Sequence, residues 1–323
     1  IQYTPHLNPP MLGRKAWWIV PFEPVTDALC AIVPDRDLLL DEELPDLSTA
    51  TPFPTGHARS GLDRVGYAMA VEQAVQHIRQ GTLEKVVLAR TMERAVEPRH
   101  WGSLFALACE RLPNACVAMV RTPAHGTWLG ASPERLLSLK GDQLEVDSLA
   151  GTMPAEVAPD AAHWGKKEIA EQHWVTCMVE DTLRDTGLQD VRVAGPTVRR
   201  AGPVAHLHSV VSGSSVGIDV RSVALALHPT PAVGGTPRLA ALQMIAAQEP
   251  RPRQLYAGSW GLHEADRTEL FVNIRCMELF LHHALLHVGA GITAGSDAEH
   301  ECQEVERKAA TWNTLIDAVG HPG

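Results

Sequence analysis

Apolar positions recur along the chain with two different periods, and the switches between them divide it into elements. The runs Ala16–Pro21 (AWWIVP) and Ala28–Pro34 (ALCAIVP) are short, apolar and closed by proline, which predicts paired strands. Leu44–Gly61 is rich in proline with Ser and Gly, and predicts a loop. From Asp63 to Gly81 the spacing turns helical: Val65, Met69, Val71, Ala74, Val75 and Ile78 fall near one face, and Gly81 closes it. Leu83–Arg90 (LEKVVLAR) predicts a short strand, and Trp101–Leu112 a second amphipathic helix through Leu104, Phe105, Leu107 and Ala108.

From Ala115 to Ala150, the segments ACVAMVR, GTWLGAS, ERLLSLK and QLEVDSLA predict four consecutive strands in an antiparallel meander, ended by GTMP at 151–154. Residues 155–190 predict a helical region. VRVAGPTV and VAHLHSVVSG predict strands, Val220–Leu227 a helix or buried run, and LHPTPAVGGTP a loop, since its prolines and glycines oppose regular structure. A helix over Arg238–Gln248 follows, then strands in QLYAGSWGL, ELFVNIRCMEL and ALLHVGAGI, then a last helix capped by Ser296 or Asp297. Strands come in groups with helices between the groups. That favours an α+β fold with antiparallel sheets over a βαβ series.

Composition narrows the class. The chain has 323 residues, 45% hydrophobic and 20% charged, which suits one large domain or two closely packed ones. Its net charge of −10, with no basic cluster, argues against nucleic acid and against an anionic membrane surface. No apolar run approaches the roughly 20 residues a membrane span needs. The first residues, IQYTPHLNPP, lack a signal pattern. Cys30, Cys109, Cys116, Cys177, Cys276 and Cys302 show no CxxC spacing, so reduced thiols in a cytoplasmic protein are expected.

The candidate chemistry begins in Gly289–Lys308 (GAGITAGSDAEHECQEVERK). The glycines let backbone approach an anion, and Glu301, Glu304 and Lys308 share one face of the helix that follows. Glu168 and Glu171 form a second pair three residues apart. Facing helices bearing such pairs suit magnesium, which takes oxygen ligands and keeps waters; a solvated acidic face is the plainer alternative. Lys85 lies in an apolar strand. It is either an edge lysine in solvent or a desolvated general base. Glu134, after a turn in SPERLL, serves as a general acid only if burial raises its pKa. Arg275, flanked by apolar residues in VNIRCM, needs an anion from the protein or from a ligand. His206 with His208, and His282 with His283, suggest a competing zinc site but lack a HExxH pattern or a third spaced ligand.

Taken together, the segments EKVVLAR (84–90), GASPERLL (130–137), LAGTMP (149–154), KKEIAEQHWV (166–175), HLHSVVSG (206–213), LHPTPAVGGTP (227–237), YAGSWG (256–261), ELFVNIR (269–275) and GAGITAGSDAEHECQE (289–304) resemble the chorismate-utilising enzymes, and among them the isochorismate synthases. The motifs span about residues 83 to 308 in the family's order, while residues 1–62 match loosely. The resemblance implies a single domain over 1–323 with its catalytic core in 63–320, built as two antiparallel sheets packed as a sandwich with outer helices. It implies Lys85 as the base that activates water and Glu134 as the acid that protonates the departing C4 hydroxyl. Glu171 and Glu304 are implied as Mg2+ ligands, with Glu301 and Glu168 as further or water-mediated ones.

For the substrate, chorismate, the resemblance implies that Gly151 and Thr152 line the pocket. His206, Tyr256, Arg275, Ala290, Gly291 and Lys308 then meet the ligand, with Arg275 and the 289–291 backbone on a carboxylate. Ala232 falls where salicylate and anthranilate makers typically carry threonine, which favours isochorismate as product, for menaquinone or siderophore synthesis. Salicylate synthases, ammonia-using anthranilate or aminodeoxychorismate synthases, and a non-catalytic chorismate binder are the alternatives. The short N-terminal part argues against the ammonia users and their glutaminase partner, and the presence of Lys85 and Glu134 argues against the non-catalytic binder. The chain departs from the family pattern at Gln172, Met153, Ala155, Ala298 and 262–268.

Overall fold

The structure is a computed structural model that describes residues 15–23, 29–33, 61–158, 160, 163–201 and 204–320. The loop predicted over 44–61 lies, up to residue 60, outside the described residues. Strands β1 (Ala16–Val20) and β2 (Cys30–Ile32) pair antiparallel, as their apolar runs predict. Helix α1 (Arg64–Arg79) starts where the Asp63 carboxylate accepts a hydrogen bond from the Gly66 amide at 2.7 Å. Its buried face is Tyr67, Ala70, Val71, Ala74, Val75 and Ile78, while Val65 and Met69 point to solvent. The stripe is therefore rotated from the predicted one. Tyr67 anchors it, because its hydroxyl can donate to the Leu88 carbonyl at 3.3 Å while its ring enters the core.

Strand β3 (Lys85–Ala95) and helix α2 (Trp101–Arg111) follow, then β4 (Cys116–Thr122), β5 (Gly126–Ser132), β6 (Arg135–Lys140) and β7 (Gln143–Pro154). The last four do not form the single meander predicted. β4 pairs with β5 in one sheet, and β6 with β7 in another. The chain changes sheets at Pro133–Glu134, where proline has no N–H to continue the first ladder. Nor does GTMP end β7. It extends the strand past a bulge at Gly151, whose φ of 65° favours a residue without Cβ.

Helix α3 (Lys166–Asp185), shorter than the helical region predicted, leads to β8 (Gln189–Ala201), β9 (Val204–Ser214), helix α4 (Val220–Leu227), the two-residue β10 (Gly235–Thr236) and helix α5 (Arg238–Gln248). Then come β11 (Ser259–His263), β12 (Arg267–Val272), β13 (Cys276–Leu279), β14 (His283–Ile292) and helix α6 (Ala298–Gly320). The strand predicted across ELFVNIRCMEL is two strands in different sheets, broken at Asn273–Arg275. The N-terminal part of QLYAGSWGL is a turn, with Gln254 and Ala257 at positive φ.

The strand order is β2-β1-β11-β12-β6-β7-β9-β8 in the larger sheet and β10-β3-β14-β13-β5-β4 in the smaller. Every ladder between them is antiparallel. Helices α1, α5 and α6 pack on the smaller sheet and α3 on the larger. One core cluster joins Trp18, Leu137 and Trp260 of the larger sheet to Leu88, Trp128 and Leu129 of the smaller. The architecture is the α+β arrangement of two antiparallel sheets with helices. No helix among the described residues is long and apolar enough to cross a membrane, and the six cysteines are free thiols.

The two sheet changes lie side by side. The Val272 amide donates to Glu134 O at 3.0 Å, and the Ala131 amide to Arg275 O at 3.1 Å. Asn273, buried at the second crossing, donates from its side chain to Leu255 O at 2.8 Å and from its amide to Gly258 O at 2.7 Å. A Cβ at Gly130 would lie 2.7 Å from both Asn273 Oδ1 and the Trp260 ring. Gly130→Ala is therefore expected to cost about 1–3 kcal/mol through overpacking. Gly102→Ala, on α2 with nothing within 4 Å of the added methyl, should instead gain up to about 1 kcal/mol. Urea denaturation of both variants checks the contrast.

Candidate active site

Lys85 opens β3, where it pairs with Thr236 of β10. It is not an edge lysine extended into solvent: its side chain is about three-quarters buried, with 23% exposed. Its Nζ lies 3.3 Å from Glu171 Oε1, in the second turn of α3. The neighbouring strand β14 alternates Gly289 and Gly291, half-buried, with Ala290 and Ile292, which are buried in the core. A Cβ at Gly291 would sit 3.1 Å from Lys85 Cε, so glycine leaves room beside the amine. The expected anion cradle thus begins on the strand predicted over ALLHVGAGI, and Ala290, buried, offers it only backbone.

At the start of α6 the His300 amide donates to Asp297 Oδ1 at 3.0 Å, which identifies the cap. On the face beyond it, Lys308 Nζ lies 2.7 Å from Glu304 Oε1 and donates to Gly289 O at 2.8 Å. Burial raises the pKa of Glu301; the Ser296 hydroxyl opposes this and the Glu304 charge adds to it. The three residues predicted to share a face do share one, next to the glycine strand.

Glu134 and Arg275 come from the two crossings. Glu134 is walled by protein, and its carboxyl is pushed up to about 6, first by burial and then by Asp147, with Lys85, Arg199 and Arg275 acting the other way. Arg275 sits at φ 49° and is half-buried, and burial lowers its pKa while Glu134 opposes. Among the described residues no carboxylate pairs with its guanidinium.

Gly151, at the β7 bulge, packs on α3. A Cβ there would lie 3.1 Å from Glu168 Cβ and 3.2 Å from Glu168 O. His206 stands opposite Thr152 in the β7–β9 ladder, and the Thr152 side chain lies outside what the structure describes. His206 is kept neutral chiefly by burial. A backbone hydrogen bond with Gly151 opposes this, and the nearby cations Arg275, Lys308 and Arg199 reinforce it. Ala232 lies in the turn before β10 and lines a cleft together with Glu134, Asp147, Ser148, Thr230 and Thr236. Tyr256 places its hydroxyl on the same face of the glycine strand as Lys85. It is buried, its ring stacks on His287 at 5.3 Å, and its hydroxyl is so close under Gly289 that a Cβ there would lie 2.6 Å from it.

The histidines predicted as a possible zinc site are used otherwise. His208 Nε2 lies 3.2 Å from Asp147 Oδ1, and His283 stacks on Phe280 at 4.7 Å. Among the described residues no three His, Cys, Asp or Glu side chains converge as a metal-holding group. The four glutamates therefore stand as a pair on α3 and a pair on α6. Each pair by itself offers the one or two carboxylates by which Mg2+ is commonly held, with substrate oxygens and waters completing the octahedron.

Three features escaped the sequence reading. Asp147 is buried among Arg135, Arg199 and His208, three residues from three different strands. Arg253, fully buried, donates to Val233 O at 2.8 Å and Val87 O at 2.6 Å and pairs with Glu249. Gln172, a departure from the family pattern, points away from the carboxylate pair: it is buried and donates to Ser148 O at 3.0 Å and to the Thr176 and Ser209 hydroxyls at 3.2 Å. Alternation on β7 and β9 signals inward positions, but nothing in a single sequence pairs Asp147 with arginines 12 and 52 residues away.

With this geometry in place, the comparisons with known proteins point one way. The chain is 33% identical over 262 residues to isochorismate synthase MenF of Escherichia coli (strain K12), covering 79% of this chain and 61% of that protein. It is 32% identical over 283 residues to isochorismate synthase DhbC of Bacillus subtilis (strain 168), covering 82% of this chain and 70% of that one. The solved structure of the menaquinone-specific isochorismate synthase MenF from Escherichia coli superposes with a TM-score of 0.77 at 28% identity, over 94% of this chain and 78% of that chain. The chain thus spans about three-fifths of the length of the Escherichia coli protein. The sequence profile described as "Chorismate binding enzyme" matches residues 28–317, so the chain belongs to the chorismate-binding enzyme family.

Proposed function

We propose that the chain is an isochorismate synthase that isomerises chorismate by adding water at C2 and releasing the C4 hydroxyl. One observation carries this reading: a half-buried Arg275 with no carboxylate partner among the described residues stands beside an acid poised near neutrality, with Lys85 also acting on that acid. A desolvated guanidinium calls for an anion, and a planar carboxylate fits its fork. The similarity to MenF and DhbC supports the choice of substrate and product.

In this reading Arg275 and the open backbone at Gly289 and Gly291 orient the substrate's carboxylates. Lys85 takes a proton from the attacking water while Glu134 delivers its proton to the leaving hydroxyl. Each positioned proton transfer is worth about 10²–10⁴-fold. Glu171 and Glu304, with Glu168 and Glu301 behind them, would hold Mg2+. Bound there, the ion would stabilise negative charge at the ring carboxylate as the transition state forms. Lys308, tied to Glu304 and Gly289, holds the α6 carboxylates against the glycine strand.

Incubating the protein with chorismate and magnesium, with and without ammonium, and identifying the products by chromatography tests the proposal. Isochorismate in a mixture with chorismate is expected. Salicylate with pyruvate as the main early products, or anthranilate with ammonium, would sink it. Ala232→Thr, which places a hydroxyl in the cleft, should raise the share of pyruvate elimination over wild type.

Removing a hard oxygen ligand should abolish turnover, so Glu171→Ala and Glu304→Ala are expected to be inactive, as is protein treated with chelator. Near-full activity in any of these three would reject the metal assignment.

Lys85→Ala and Glu134→Gln should each lose most of kcat while circular dichroism stays unchanged. The pH profile follows from the acid's role. Glu134 must hold its proton, and its carboxyl sits at about 6, so the kcat/KM profile should bend at that value in the free protein. A bound dianion raises the carboxyl further, which puts the bend in kcat at higher pH than that in kcat/KM. Glu134→Gln should lack this bend.

A further inference from the structure

Asp147 has no place in the chemistry described so far, yet it is one of the most enclosed charges in the protein, with 3% of its side chain exposed. It lies on β7 and lines the same cleft as Glu134. Arg135 of β6 donates to its Oδ1 at 3.0 Å, Arg199 of β8 to its Oδ2 at 3.3 Å, and His208 Nε2 of β9 lies 3.2 Å from Oδ1. Three strands thus aim their polar side chains at one carboxylate. Arg199 also reaches the crossing itself, with its Nη2 3.5 Å from Pro133 O, the carbonyl just before Glu134.

We propose that Asp147 is a positioning residue for the acid: it takes up the charge of Arg135 and Arg199 on the strands beside the crossing, so that Glu134 keeps its proton. The inference rests on the functional reading above only in naming Glu134 the acid. Among the described residues, the charged groups that bear most on Glu134 are Lys85 from β3, Asp147 from β7, Arg199 from β8 and Arg275 from the second crossing. Three of these are cations, which favour ionised Glu134, and Asp147 is the anion that opposes them. Around Asp147 itself stand Arg135, Arg199 and His208, and Arg135 shares part of its charge with Glu145 at 3.4 Å. Neutralising Asp147 removes the anion and leaves two guanidiniums uncompensated, and both changes push Glu134 towards ionisation. Removing Arg199 does the reverse. A residue that merely held strands together would not give opposite signs.

The test follows the Glu134 carboxyl directly by NMR in full-length protein labelled with carboxyl-13C glutamate, assigned by the signal missing in Glu134→Gln. In Asp147→Asn the titration midpoint should move down by roughly one pH unit, and in Arg199→Gln it should move up. The bend in kcat/KM that belongs to Glu134 should move with it. Midpoints that do not move, or that move in the same direction in both variants, overturn the proposal. If Asp147→Asn does not fold, Arg199→Gln decides alone: an upward move supports the proposal, and no move or a downward one overturns it. Because the titration needs no substrate, a wild-type protein that makes another product from chorismate would sink the functional reading without touching this result.

Discussion

The site depends on the chain changing sheets twice at the same place. An antiparallel strand that leaves one sheet for another must break its ladder, and the polar backbone groups so released need partners. Here the two breaks supply each other: the Val272 amide bonds Glu134 O, and the Ala131 amide bonds Arg275 O. The buried Asn273 ties the second break to the turn at 255–258. Glu134 and Arg275 are therefore held side by side by the same bonds that let the two sheets share strands. Their side chains act on one another through charge, Arg275 favouring ionised Glu134 and Glu134 favouring charged Arg275.

Burial then sets their character. In a chain of net charge −10, the cations Lys85, Arg199 and Arg275 act on Glu134, and Arg275, Lys308 and Arg199 act on His206. The first three pull Glu134 towards ionisation. Desolvation outweighs them and, with Asp147, holds the carboxyl at about 6. The same desolvation keeps His206 neutral beside Arg275 and Lys308. Exposed pairs such as Arg64 with Glu299 contribute little by comparison, because solvent screens them.

A second framework joins the base to the turn that carries Ala232. Arg253 donates to Val87 O in the Lys85 strand and to Val233 O beside Ala232, while Glu249 accepts from the Ala89 amide at 2.9 Å. Two stretches about 145 residues apart, at Val87 and Val233, are thereby fixed against one another by a single buried side chain. Its guanidinium lies 4.4 Å from the Phe22 ring and 5.5 Å from that of Tyr256, so the aromatic residues here serve as packing for the clamp. Tyr256 takes part in this support, with its hydroxyl against Gly289.

Periodicity and turn chemistry by themselves determined most strands and helices, the antiparallel α+β class, a cap at Ser296 or Asp297 and the shared face of Glu301, Glu304 and Lys308, because each depends on residues within a few positions of one another. The run of motifs determined the family. The sequence misread ELFVNIRCMEL as one strand and residues 115–150 as one meander, since an apolar run looks the same whether it stays in a sheet or crosses to another. It placed the α1 stripe on Val65 and Met69, because aliphatic spacing does not reveal that Tyr67 buries its ring while bonding Leu88 O. Tertiary structure alone decided which charges meet: Lys85 with Glu171, Lys308 with Gly289, and Asp147 with Arg135, Arg199 and His208. Those partners lie between 12 and 86 residues apart along the chain. The Asp147 cluster draws its strength from burial, a property of the folded sheets that no local stretch of sequence carries.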